Sequence, residues 1–365
     1  MNINNLKTKL AETFHRSPKL RAAWILVKNV NNEMFVRRVN DYGWDVQTVY
    51  YEKYGEEHKG KTFGLITDSG KSGFFAVFNR TLMQLYYCYI NNLIPIVRWS
   101  KDWIYSETEP IHNTRNPWEY YFNPCSEYSV EDIKTASRVA IINENLASAI
   151  MHDLGGNGYR YSRPLMDAMA VSLRKWVRLN TDTQARMNND IPRCIFNEKT
   201  LGVHIRGGGM LLGANNHPIV PKLEKYIEAI EDIYSNGNYE KIFVATDDNR
   251  ALNKLIAAFG DEILVYYKDV IRVDGVYDNY MLHNDRENNN YLNGYEVLRD
   301  AYTLAACNGI LSGLSQVSIA ARIIGMSTMK MLSDDIIIDE GIHLNGIDSQ
   351  TAKVQIENQL KGENL

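Results

Sequence analysis

Apolar residues along this chain recur in one repeating order. A short unbroken apolar run comes first, then a turn-rich or glycine-rich stretch, then a longer segment with apolar side chains at helical spacing. TFGLIT (62–67) has the length of a buried strand and runs into the turn-rich DSGKSG. FFAVFNRTLMQLYYCYINN follows without a proline and stops before Pro95, which predicts a helix; LIPIVRW (93–99) predicts the next strand. Strand, glycine loop, helix, strand is a βαβ unit and favours a parallel sheet. From about residue 130 to 179 the spacing predicts mostly helix, broken at HDLGGNGYRYSRP.

A second unit begins near Thr200. TLGVHIR predicts a strand, GGGMLLGANNHP a glycine-rich loop, and KLEKYIEAIEDIYS a helix. That helix has Pro221 at its entrance and Leu223, Tyr226, Ile227, Ile230 and Ile233 on one face. KIFVATDD, EILVYY and ILSG predict further strands. They alternate with helices at NRALNKLIAAFG, GYEVLRDAYTLAACNG and SQVSIAARIIG, the last capped by Ser315. Alternation sustained over roughly 130 residues predicts a doubly wound domain, and two such units predict two sheets facing a cleft. No period of about 20–50 residues recurs, so a solenoid is excluded.

Composition agrees with this picture: 365 residues, 45% hydrophobic and 23% charged, describe one large or two ordinary globular domains. The net charge of −4 offers no global positive field for nucleic acid. Four cysteines (Cys88, Cys125, Cys194, Cys307) lie far apart, which fits a reducing compartment and argues against a zinc ribbon. The chain opens without a secretory signal, and its most apolar stretch is interrupted by Gln316 and Arg322, so a cytoplasmic protein is expected. Charge is uneven. Residues 1–40 carry net +6, leaving −10 for the remainder, and Leu20, Ala23, Trp24 and Val27 share one helical face. This arm either packs on the body or makes a peripheral contact with acidic lipid at the inner membrane face.

Ligands of open α/β sheets bind beyond the carboxyl ends of the strands. In the second unit the first of these ends carries His204, Arg206, Gly207, Gly208 and Gly209. Strand alternation points His204 and Arg206 the same way, and the glycines let backbone N–H groups approach a ligand. A planar guanidinium beside bare backbone amides suits a pyrophosphate. The next strand ends at Asp247 and Asp248, where a helix starts, so one carboxylate is explained by capping and the other suits a ribose or base. Ser315 and Gln316 open a helix whose N-terminus can hold phosphate.

Taken in order, GVHIRGGG, IFVATDD and EVLRDAYTLAACNGILSGLSQVSIAARIIG resemble the donor-binding half of the GDP-fucose-dependent fucosyltransferase superfamily. Its members (nodulation and core α-1,6-fucosyltransferases, protein O-fucosyltransferases) carry an H-x-R motif after a strand, a T-D-D strand end and an S-S-Q-like helix start. The resemblance covers mainly residues 200–326. It is fainter in the first unit, where SGKSGFFAVFNRTLMQ stands in place of the family's glycine-rich first loop.

The resemblance implies an α/β fold of GT-B type, with two Rossmann-like doubly wound domains facing a cleft. It implies inverting, metal-independent transfer of a sugar from a nucleotide sugar, GDP-fucose first, to a glycan or glycolipid acceptor, with no cofactor. Carried over by motif, Arg206 bridges the pyrophosphate and the leaving oxygen, and His204 contacts the nucleotide. Asp247 or Asp248 binds guanine or ribose, Asp300 contacts guanosine, and Ser315 and Gln316 hold the β-phosphate side. The chain departs from the family at Gly207, where a second arginine is frequent, and in having no carboxylate between Arg206 and Glu224.

The acceptor side is read from residue chemistry. Asp68, at the end of the first strand, is a candidate base or a plain turn residue. His217, in the loop after the glycines, is a second candidate base on the acceptor side or a plain loop residue before Pro218. In NPWEYYFNP, Trp118 and Glu119 either line the acceptor cleft or belong to a tyrosine-rich core edge. The expected division is a helical extension over 1–58, an acceptor domain over 59–192, a donor domain over 193–345 and a C-terminal helix or tail over 346–365. Competing readings are a GT-B enzyme for another nucleotide sugar, a non-catalytic sugar-nucleotide or glycan binder, and a dinucleotide-dependent oxidoreductase. The last lacks the G-x-G-x-x-G pattern.

Overall fold

The computed structural model of the chain describes residues 49–348 except 238, 279–280 and 282–284, together with positions 27, 30, 31, 351, 354–356 and 358. The basic arm, with Leu20, Ala23 and Trp24 of its apolar face, lies outside the described residues, as does most of the 346–365 tail.

The first sheet is built from β1 (Val49–Glu52), β2 (Phe63–Asp68), β3 (Ile94–Trp99) and β4 (Val139–Ile142) in the order β1-β4-β2-β3. β2 pairs in parallel with β3 and β4, and β1 runs antiparallel on the edge. Between β2 and β3 lies α1 (Phe74–Ile90), and after β4 come α2 (Glu144–Asp153), α3 (Arg163–Trp176) and α4 (Thr181–Asp190). Asn143, Ser162 and Asn180 cap α2, α3 and α4 with side-chain oxygens, which explains where each helix starts.

The second sheet comprises β5 (Thr200–Ile205), β6 (Lys241–Thr246), β7 (Leu264–Val265), β8 (Gly309–Gly313) and β9 (Asp334–Ile338). All are parallel, in the order β7-β6-β5-β8-β9. Its helices are α5 (Leu223–Gly237), α6 (Asn249–Phe259), α7 (Asn289–Ala306) and α8 (Gln316–Ser327). The chain turns one way from β5 to β6 and places β8 on the other flank of β5. This makes the β5–β8 crevice the switch point of the sheet.

Three expectations are corrected here. The 130–179 stretch, read as mostly helical, contains β4: its four residues VAII are all buried, and so short an apolar run has no period to tell strand from helix. The helical extension assigned to 1–58 contributes β1 to the first sheet. EILVYY narrows to a two-residue edge strand, because only β6 is there to pair with it.

The two units are welded on one side. α7 and α8 pack against α1 and α3. Tyr295, Leu298, Ala301, Ile319 and Ile323 of the second unit join Phe74, Phe78, Leu82 and Met169 of the first in one buried cluster. No helix among the described residues is long and apolar enough to cross a membrane.

Candidate active site

At the switch crevice β5 delivers His204 and Arg206, and β8 runs through Gly313 into the start of α8. His204 sits in register with Ser312 across the β5–β8 pair. His204 is buried, its Nδ1 has no hydrogen-bond partner, and burial, with Arg206 and Arg322 nearby, pushes its pKa down to about 3. It is a neutral imidazole at any physiological pH.

Arg206 lies just beyond the strand with its side chain 31% exposed, and it pairs with two carboxylates, Asp247 and Asp278. Its Nη2 donates to Asp278 Oδ1 at 2.6 Å. The same two carboxylates take up the loop amides: Gly207 N–H donates to Asp247 Oδ1 at 2.8 Å and Gly209 N–H to Asp278 Oδ1 at 3.3 Å. Guanidinium and amides thus form one nest for anions, and the chain's own carboxylates occupy it. Two glycines have specific reasons here. A Cβ on Gly207 would stand 2.5 Å from Asp248 Cβ, and Gly208 has φ +55° with Tyr277 O 2.9 Å from its would-be Cβ.

A second polar cluster lies along α7. Asn293 and Glu296, on one face, are both buried and hold Arg286, whose guanidinium pairs with Glu296 and donates to Asn293 Oδ1 at 2.9 Å. Arg299 is tied to Asp269 and Asp190. Even so, Arg272 Nε, Asn293 Nδ2, Glu296 Oε2 and Arg299 Nε are buried without a partner. Asp300, half-buried one turn on, forms no hydrogen bond or ion pair among the described residues. Burial raises its pKa to about 7 against the opposing pull of Arg299 and Arg272. Four of the ten buried polar atoms that lack a hydrogen-bond partner among the described residues gather in this cluster, which leaves donors and acceptors there for a polar ligand to meet.

Several expected site residues serve other ends. Asp68 has a side-chain exposure of 0% and is held by Arg80 Nε at 2.7 Å, Arg80 Nη2 at 3.0 Å and the Gly70 N–H at 3.0 Å. With both oxygens engaged and its side chain wholly buried, it is held as a structural carboxylate, which does not suit a base. Trp118 is 1% exposed, packs on Phe78, Trp99 and Phe122, and donates its Nε1–H to Asn123 O. Glu119 accepts from Thr114 Oγ1 at 2.8 Å and Asn116 Nδ2 at 2.9 Å, tying its own loop. The core-edge reading of NPWEYYFNP therefore fits Trp118, and both oxygens of Glu119 are taken up within its own loop.

Asp248 caps α6 through Arg250 N–H and also pairs with the Arg250 guanidinium, so Asp247 is the carboxylate left for the nest. Ser315 is the N-cap of α8. Gln316 already has partners. Its Oε1 accepts from Asn79 Nδ2 at 2.8 Å and Tyr161 Oη at 3.0 Å, which makes it a bridge between the units.

His217 comes close to the nest. It lies within electrostatic reach of Arg206, and its Nδ1 is 3.3 Å from Tyr159 Oη. Tyr159 belongs to the HDLGGNGYRYSRP break. Three successive residues of that break dock on the second unit: Tyr159 on His217, Arg160 on Asp339 at 2.7 and 2.8 Å, and Tyr161 on Gln316. Asp278, Arg272, Glu296 and Tyr159 escaped the sequence reading. Only the glycine-rich break signalled one of them, since a loop carboxylate such as Asp278 has no motif around it.

No protein-family model matches the chain, and no curated protein sequence matches it. Among solved structures it is similar to the NodZ alpha-1,6-fucosyltransferase soaked with GDP-fucose (16% identity, TM-score 0.44, 72% of this chain and 93% of that one). It is similar to the fucosyltransferase NodZ from Bradyrhizobium (15%, 0.42, 72% and 92%). It is also similar to POFUT1 in complex with GDP-fucose (8%, 0.46, 78% and 99%).

Proposed function

We propose that this protein is a glycosyltransferase that moves a sugar, fucose from GDP-fucose first among the donors, onto a hydroxyl of a glycan acceptor. The observation that carries the reading is the Arg206 nest: a guanidinium and two loop amides at the switch crevice, holding carboxylates where a diphosphate would fit. In support of the reading, the H-x-R and T-D-D strings follow the adjacent strands β5 and β6, and Ser315-Gln316 starts the helix after β8.

Breaking the bond between sugar and phosphate builds positive charge on the ring and negative charge on the departing diphosphate. Arg206 and the amides of Gly207 and Gly209 answer the second charge, and they are fixed before the reaction begins. The diphosphate takes the place of the Asp278 carboxylate, with Asp247 keeping the guanidinium oriented. Asp300 and Glu296 supply acceptors for the N–H edge of a guanine, and Arg272 a donor for its carbonyl. No metal is required if Arg206 and the loop amides neutralise the leaving group, and the sugar inverts if the acceptor attacks the face opposite the departing diphosphate.

The test is titration with GDP, UDP and dTDP, followed by turnover of GDP-fucose with and without a chelator. GDP binds most tightly and the chelator has no effect if the reading is right; absence of binding by all three sinks it. Arg206→Ala is expected to lower turnover by ~10²-fold or more. Retention of most activity by a folded variant overturns the assignment.

A further inference from the structure

The loop after β5 has no carboxylate between Arg206 and Glu224, so the group that takes the acceptor's proton must come from elsewhere. His217 is the side chain of that loop whose surroundings suit the task. Its backbone is pinned on both sides: its N–H donates to Ala214 O at 3.1 Å and its carbonyl accepts from His343 N–H at 2.9 Å. Its ring nitrogen Nδ1 faces two atoms at 3.3 Å, the Tyr159 hydroxyl and the sulfur of Met210. A thioether sulfur only accepts, whereas a phenol oxygen accepts as readily as it donates. A proton on Nδ1 satisfies both neighbours, and this tautomer leaves the lone pair on Nε2, which makes no hydrogen bond among the described residues.

We infer that His217 Nε2 is the general base for the acceptor hydroxyl, with Tyr159 and Met210 as positioning residues that hold its tautomer. The inference rests on the glycosyltransferase reading and deepens it. In the step, the acceptor oxygen gives its proton to Nε2 and forms the bond to the anomeric carbon. The bond from that carbon to the phosphate oxygen breaks, and its electron pair leaves on the diphosphate beside Arg206. The imidazolium then passes the proton to solvent.

Charge around the ring favours the neutral form. Burial, Arg206 and His343 lower the His217 pKa, and Asp278 opposes them; Tyr159, the titratable neighbour from the other unit, is kept neutral by its own burial. The base is therefore ready at neutral pH.

Water serves as acceptor in the test, with GDP-fucose as donor and released GDP as the readout, beside calorimetric binding of GDP. His217→Ala is expected to bind GDP like the parent chain while GDP release falls by ~10²-fold or more. Added imidazole restores the rate, and the acid limb of the pH profile, lying below the ordinary histidine range, disappears. The double variant Tyr159→Phe with Met210→Leu keeps GDP binding but moves that acid limb, a change that loosened packing alone does not produce. Unchanged release in His217→Ala, or loss of GDP binding with release, overturns the inference while leaving the donor reading intact. A parent chain that neither binds GDP nor releases it from GDP-fucose overturns both.

Discussion

Asp68 and Asp300 show how the same residue type is assigned opposite work by its partners. Asp68 sits in the pleat of the first sheet with both oxygens satisfied by Arg80 and the Gly70 amide. Asp68→Asn is expected to cost ~3 kcal/mol by stranding Arg80, read as a lower chemical-denaturation midpoint, and to leave turnover per folded molecule unchanged. Asp300, with no hydrogen bond or ion pair among the described residues and a pKa raised to about 7, costs stability whenever it is ionised. The carboxylate is disfavoured in the folded state relative to the unfolded one, so stability falls as pH rises from about 4 to about 7 and is level above that. Asp300→Asn should therefore raise Tm at about pH 7 and above, with the gain fading as pH falls towards about 4. In the proposed function, ionised Asp300 is also the form that would accept from guanine. GDP affinity should weaken as pH falls below about 7 in the parent chain, and the variant should lose both affinity and this pH dependence. A variant with unaltered GDP binding removes Asp300 from the site.

The glycine loop and the segment carrying Asp278 act as one device. Arg206 and the Gly209 N–H both donate to Asp278 Oδ1, and near Asp278 Ile356 of the tail packs with Val273 and Tyr277. Because Asp278 Oδ1 takes the Arg206 and Gly209 donors that a phosphate oxygen would need, it competes with the ligand. Asp278→Asn weakens a charge-assisted contact, so GDP should bind about tenfold more tightly. Calorimetry decides the sign: weaker binding would make Asp278 a ligand contact instead. The motif strings were legible for the elements of the second unit because each strand is followed by a distinctive end, GGG, TDD or SQ. The segment around Asp278 was not legible, since its importance depends on where a loop returns in space.

Across the fold, the helices of the second sheet close the core of the first. Every tryptophan of the sequence precedes residue 177, so Trp fluorescence reports the first unit, yet Leu298 of α7 is buried in the same cluster as Trp99, Trp103 and Trp118. Leu298→Ala, in the second unit, should therefore lower the Trp-reported transition by ~2–5 kcal/mol in a single cooperative step. Two separate transitions, with the Trp signal unmoved, would mean that the units unfold independently.

Local physics settled much of this protein from its residues alone: two α/β units, most strand and helix positions in the second, the Ser315 cap, a cap by one of Asp247 and Asp248, and an arginine set among glycines at a strand end. These follow from periodicity, capping and alternation, each a matter of neighbours in the chain. Burial and partnership were decided only by the assembled fold. It put Trp118 in the core, paired Asp68 with Arg80, committed Gln316 to Asn79 and Tyr161, and brought Tyr159 to His217. The reason is physical: whether a polar group is spare or satisfied depends on which distant side chain shares its space, and no local pattern encodes that.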